Sequence, residues 1–181
     1  MKKILITGVA GFIGSNLADH LISQKKYQVV GIDNLSYGLV GQVPSQVEFH
    51  EKDIRDKNIE DLFKNIDCVF HLAAKNCISD CQSDPYETID INIKGSINIF
   101  EASVENKVRR IVYSDSSAVY EGSDMLPTPE SEASPISNYA ISKQTAGNFL
   151  KSITARQVTK HTSLRYFNVY GPRQDYRRSI P

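Results

Sequence analysis

The chain has 181 residues, 40% of them hydrophobic and 23% charged, enough to bury one core and too few for two ordinary domains. Lys plus Arg and Asp plus Glu both count 21, so no net field recruits nucleic acid or a membrane surface. No apolar run approaches a membrane span, and three cysteines (Cys68, Cys77 and Cys81) form no even disulfide framework, which points to a reducing, cytoplasmic setting.

Residues 3–7 read as a short buried strand; the apolar run is too short for a secretory leader and glycines follow at once, so a first strand is the expected reading. Residues 12–24 read as a helix with Phe12, Ile13, Leu17 and Leu21 on one apolar face. A second strand covers 28–32 and ends at Asp33. Gly38, Gly41 and Pro44 then mark a loop. Residues 47–50 give a third strand, 59–64 a short helix and 68–72 a fourth strand. The segment 85–105 carries Ile89, Ile93, Ile97 and Phe100 at near-helical spacing and predicts one long amphipathic helix. A fifth strand at 108–113 leads into a serine-rich turn. Residues 124–135 read as a polar loop, 135–157 as a helix and 162–166 as a sixth strand. Strands alternating with helices predict a parallel sheet covered on both faces, here a Rossmann-type doubly wound sheet with strand order 3-2-1-4-5-6. The whole chain, 1–181, reads as one dinucleotide-binding domain.

The turn between the first strand and the first helix is Gly8-Val9-Ala10-Gly11-Phe12-Ile13-Gly14. Its glycines permit a tight turn, close approach of backbone to phosphate and close packing of helix on strand. The helix N-terminus offers free N–H groups and positive dipole to a pyrophosphate. Asp33 lies 19 positions beyond Gly14, where a carboxylate accepts both adenosine ribose hydroxyls. A 2′-phosphate would meet that negative charge, so NAD is expected over NADP. Downstream, Tyr139 and Lys143 stand at i and i+4 on one helix face. A phenol is a poor base at neutral pH, and a nearby ammonium and a cationic nicotinamide ring both favour the phenolate. Helices carry such pairs without chemistry too; the glycine turn is what gives this pair its meaning.

With Asp33-Asn34-Leu35-Ser36, Asp53-Ile54, His71-Leu72-Ala73-Ala74, Asn92-Ile93-Lys94-Gly95, Val119-Tyr120, Tyr139-x-x-x-Lys143 and the run Arg165 to Gln174, the ordered set resembles the extended short-chain dehydrogenase/reductase family, the NAD-dependent nucleotide-sugar epimerases and dehydratases. The resemblance covers almost the entire chain. It implies a catalytic trio of Ser116, Tyr139 and Lys143. It implies that Gly8, Gly11, Phe12, Ile13, Gly14, Asp33, Asn34, Ser36 and Gly38 hold one half of NAD, with Asp53 and Ile54 flanking the adenine. Leu72, Ala73, Ala74, Lys75, Asn92 and Ser114 would line the rest, together with Tyr139 and Lys143. Cys77, Ser116 and Asn168 would meet a nucleotide sugar. Sugar dehydratases of the family read Thr-Asp-Glu before Val-Tyr, whereas Ser116-Ser117-Ala118 stands here and Asp115 is out of that register. Loss of both carboxylates leaves what reversible oxidation at carbon 4 needs, hence 4-epimerisation of a UDP-hexose or its N-acetyl form.

Several residues depart from the pattern. Glu121 replaces a glycine after Val-Tyr, Asp115 interrupts a run of serines, and Cys77 stands where a small hydroxyl residue is usual. His71, Cys77 and Cys81 fit no metal-ligand spacing, so no metal is expected. Arg173, Arg177 and Arg178 read equally as a diphosphate-binding cluster or a solvated tail. Relatives continue into a substrate-gripping lobe, and this sequence reaches only its threshold, which predicts a chain inactive by itself. A homodimer through the two long helices is expected from the resemblance. Another nucleotide-sugar epimerase or reductase, and a catalytically silent NAD-binding module, stay open as alternatives.

Overall fold

The structure is a computed structural model and describes residues 1–174. Six parallel strands form one sheet in the order β3-β2-β1-β4-β5-β6, as the alternating pattern predicts. They are β1 Lys2–Thr7, β2 Tyr27–Asp33, β3 Glu48–Glu51, β4 Cys68–His71, β5 Arg110–Ser116 and β6 Lys160–Tyr166. The order reverses between β1 and β4, and the crevice at the strands' C-terminal ends there is where doubly wound sheets bind ligands. The helices are α1 Phe12–Ser23, α2 Ile78–Ser83, α3 Pro85–Thr88, α4 Ser96–Glu105 and α5 Asn138–Thr154.

One sheet face carries Leu5, Val30, Ile32, Val69, Ile111 and Tyr113 into a core closed by Ile99 and Phe100 of α4 and Ala146 and Leu150 of α5. The other carries Ile4, Ile6 and Val29 against Ala18 and Leu21 of α1. The period-2 alternation along β1 divides its side chains between these cores. The buried face of α1 is Gly14, Ser15, Ala18 and Leu21, not the Phe12–Ile13–Leu17 stripe. Small residues let the helix sit close to the sheet and leave Phe12 and Ile13 beside the cleft above it.

Three local differences from the sequence pattern matter for the site. Strand β5 extends three residues past Tyr113, because its ladder with β6 runs on to the Ser116–Tyr166 pair. The serine-rich stretch is therefore strand up to Ser116, then a 3-10 turn over Ser117–Tyr120 capped by the Ser116 hydroxyl. The expected helix over 85–105 is continuous but widens to a π-helix over Ile89–Gly95, the kind of bulge that often marks functional sites. There the Ser96 hydroxyl donates back to the Asn92 carbonyl at 2.6 Å, which occupies an acceptor of the regular ladder. Its apolar stripe splits: Phe100 is buried in the core, while Ile89 is 44% exposed. Finally, α2 had no periodic signal, because it is one short turn of mostly polar residues. The cysteines are free, and among the described residues no helix is long and apolar enough to cross a membrane.

Candidate active site

A cleft of about 480 Å³ runs across the strands' C-terminal ends, from Asp33 and Asp53 at one end to Tyr139 and Lys143 at the other. The turn after β1 forms its floor. Gly8 has φ +74, and a Cβ on Gly14 would lie 2.1 Å from the Gly8 carbonyl oxygen. Only glycine permits this approach of helix to strand. Helix α1 starts at Phe12 with no capping side chain and no acid in its first turn, so the first N–H groups point at the cleft uncompensated. An anion there would satisfy them.

Asp33 closes this end. Its carboxylate accepts the Ala10 N–H at 3.0 Å and the Leu35 N–H at 2.8 Å. Burial pushes its pKa up, and the two backbone donors hold it down. Each oxygen keeps a further lone pair for a ligand hydroxyl. Asp53 is held by the Nε and Nη2 groups of Arg55, which donate to its two oxygens at 2.8 and 2.7 Å, and Asn34 donates to it at 2.8 Å. Those contacts, the Arg55 hydrogen bond first, bring its pKa to about 2.

The middle of the cleft rests on a buried hydrogen-bond chain. The Thr7 hydroxyl accepts the N–H groups of Leu72 and Ala73, each at 3.2 Å. Its one proton is then left for His71 Nδ1 at 2.7 Å, so His71 Nε2 carries the ring proton and donates to Ser96 at 2.9 Å. Burial, with Lys143 nearby, lowers the His71 pKa to about 3, which keeps the ring neutral. Both ring nitrogens are spent, so no metal role is open to it. The chain continues to Asn92, whose amide accepts the Lys75 N–H and donates to the Lys75 carbonyl and Ser142.

Two expected site residues do not line the cleft in this structure. Asn92 is buried behind the lining and holds Lys75's backbone in place. Cys77 starts α2 and lies 3.1 Å from Ser79, outside the cleft lining. Lys75, its one candidate basic neighbour, has its ammonium on Glu87 at 2.5 Å. The other expected residues line the cleft: Gly8, Gly11 to Gly14, Asp33, Asn34, Ser36, Gly38, Asp53, Ile54, Leu72 to Lys75, Ser114, Ser116, Tyr139, Lys143 and Asn168. Tyr37, Arg55, Glu87 and Asp115 also line it. No motif marked the first three, since each arrives through tertiary packing. Arg173 pairs with Asp19 on α1 rather than facing the cleft as a free cation; Arg177 and Arg178 lie outside the described residues.

At the far end, α5 brings Tyr139 and Lys143 to the tip of β5. The Ser116 hydroxyl faces the Tyr139 phenol and favours its ionised form, but burial raises the phenol's pKa by more than that hydrogen bond lowers it. Lys143 is buried, and desolvation brings it down to about 8. Its ammonium lies 4.5 Å from the centre of the Tyr113 ring, a cation–π contact, while the Tyr113 hydroxyl donates to its carbonyl at 3.1 Å. Glu121 ties the start of α5 to this end: its carboxylate accepts the Ser137 N–H at 2.8 Å and the Ser137 hydroxyl at 2.9 Å. A phenol, a hydroxyl and an ammonium thus converge on the end of the cleft opposite Asp33.

The family model described as "NAD dependent epimerase/dehydratase family" matches residues 4–181. The UDP-glucose 4-epimerase of Streptococcus mutans is 32% identical over 177 residues, covering 95% of this chain and 53% of that protein. The crystal structure of a UDP-glucose 4-epimerase from Thermotoga maritima with UDP-glucose superimposes with a TM-score of 0.93 at 38% identity, covering 98% of this chain and 60% of that one. The Thermus thermophilus UDP-glucose 4-epimerase in complex with NAD gives 0.88 at 35% identity, covering 96% of this chain and 57% of that one. The chain thus spans little more than half the length of these relatives.

Proposed function

The chain belongs to the NAD dependent epimerase/dehydratase family, and from that premise we propose that it forms the NAD-binding part of a nucleotide-sugar 4-epimerase acting on UDP-glucose and UDP-galactose or their N-acetyl forms. The observation that carries this reading is the convergence of Ser116, Tyr139 and Lys143 at one end of a cleft whose other end is the glycine turn and Asp33. The first N–H groups of α1 hold the pyrophosphate, and Asp33 holds the adenosine ribose. NAD, when bound, supplies the hydride acceptor for carbon 4 of the sugar.

Tyr139 takes the proton from the 4-hydroxyl. Ser116 orients that oxygen and stabilises the phenolate. The phenol must be brought down from its raised value before it can serve as a base. Its Ser116 contact and the positive charge that a bound nicotinamide adds act in that direction. Ser117 and Ala118 stand where the dehydratase acid and base would be, so elimination of water has no agent here. Asn168, exposed at the cleft rim, contacts the substrate's phosphate.

Self-association belongs to the same reading. Tyr86, Ile89, Ile141 and Phe149 on the outer faces of α3, the π-helix and α5 are 82%, 44%, 45% and 43% exposed. Paired across a two-fold axis, these faces make a four-helix contact; light scattering at tens of micromolar should give a dimer's mass.

The deciding assay measures product sugar from two proteins: this chain, and a version continuing through the length its relatives have. The longer protein should turn over with NAD alone, and Tyr139→Phe should lower its turnover by about 10²-fold or more. This chain should show negligible turnover, because few of the groups that orient the nucleotide sugar are among its residues, and orientation supplies about 7–11 kcal/mol. An unaffected Tyr139→Phe enzyme contradicts the mechanism.

A further inference from the structure

Asp115 has no place in the reaction described above, yet it is a charged side chain 7% exposed at the catalytic end of the cleft. It lies on β5 between Ser114 and Ser116, and its carboxylate is on the sheet face that α5 packs against, the face of His71 and Tyr113. One oxygen accepts the Ser116 N–H at 2.8 Å; the other lies 3.5 Å from Arg165 Nε. Arg165 reaches it from β6 while donating to the Tyr120 hydroxyl at 2.5 Å and the Glu130 carbonyl at 2.6 Å. The ionisable groups that share its field are Lys143, Tyr139, Tyr113 and Arg165. Lys143 and Arg165 both carry positive charge, so Asp115 is the negative member of this buried group.

Resting on the reading of this cleft as an NAD site, we propose that Asp115 sets the site's redox preference: its buried carboxylate favours the oxidised, cationic nicotinamide over the reduced, neutral one. The oxidised ring bears a positive charge and the reduced ring none, so a fixed charge nearby separates their binding energies. In a desolvated site that difference is larger than in water. Without Asp115, Lys143 in the cleft and Arg165 behind it would stand uncompensated, and both disfavour a cationic ring. The carboxylate offsets them. The consequence for an epimerase is direct: a resting cofactor kept oxidised is ready for the next sugar.

The test is the ratio of NAD to NADH affinity, read by calorimetry at pH about 6.5, below the Lys143 value of about 8, so that the ammonium stays charged. Asp115→Asn keeps the size and an acceptor for the Ser116 N–H while removing the charge. It should shift the ratio toward NADH by about five- to tenfold, the scale of one charge near a cationic ring at an effective dielectric of about 20 with Arg165 cancelling part of it. Asp115→Ser is the independent second variant, and decides the matter should the first not fold by circular dichroism. A carboxylate that only anchors Arg165 would move both affinities together; an unchanged ratio in a folded variant overturns the proposal. Wild-type chain that binds neither nucleotide overturns the underlying reading of the cleft, and the proposal with it.

Discussion

The two ends of the cleft are built differently. The Asp33 end is made of backbone: a glycine turn, the open N-terminus of α1, and a carboxylate held by two main-chain N–H groups. The Tyr139 end is made of side chains brought from β4, β5, the π-helix, α5 and β6, most of them buried and several charged. The first end rests on main-chain geometry and tolerates little geometric change. The second depends on desolvation, so its chemistry responds to charge and pH.

Breaking the backbone end should have the largest effect. Gly14→Ala puts a Cβ 2.1 Å from the Gly8 oxygen, a contact with main chain that cannot rotate away. Overpacking of this kind costs about 1–3 kcal/mol or more. Thermal unfolding should show a clear loss of stability, and calorimetry a loss of NAD binding. Retained tight binding would mean that the turn does not position the pyrophosphate.

The side-chain end should show itself through pH. His71 binds its proton near pH 6.5 when unfolded and near about 3 when folded, so between those values the unfolded state binds more protons. Stability should therefore be fully present above about pH 6.5 and fall with acid, by on the order of 2–3 kcal/mol between pH 6.5 and 4.5. Melting temperature followed from pH 6.5 to 4.5 reads the upper part of the His71 window, mostly above ordinary carboxylate titration. His71→Gln should flatten the slope. An equal slope in the variant would assign the acid sensitivity elsewhere.

The smallest effect sharpens the link between the two ends. Glu121 braces the start of α5, and Glu121→Gly removes the brace without touching the cleft lining. Its melting temperature should fall by a few degrees, the scale of a lost helix cap, with NAD affinity nearly kept. A large loss of NAD affinity instead would show that α5 is positioned through this one carboxylate.

The same contrast governs what could be read from the chain. Strand order and the glycine turn follow from local patterns, and Asp33 from its fixed spacing beyond the turn, although its bond to Ala10 spans 23 residues. Tyr139, Lys143 and Ser116 were also legible, through motif order. What was not legible arises from contacts far apart in sequence. Asn92 carries a family motif, but its amide turns inward to Lys75, a partner 17 residues away. The helix over 85–105 has a regular apolar spacing, yet its middle widens to a π-helix. Glu121 departs from the pattern, and its contact with the start of α5 joins residues 16 positions apart. Cys77 stands between Asn76 of the cleft lining and α2, a helix with no periodic signature.

The most direct test of the cleft as an NAD site read from Asp33 is a paired calorimetric titration of NAD and NADP into this chain and into Asp33→Ala. NAD should bind the wild-type chain more tightly than NADP, since the 2′-phosphate meets the Asp33 carboxylate. Asp33→Ala should weaken NAD by about 1.5–3 kcal/mol, the worth of a charge-assisted hydrogen bond, and narrow the gap between the two nucleotides. NADP binding equal to or tighter than NAD in the wild-type chain, or an Asp33→Ala variant that binds NAD undiminished, would contradict it.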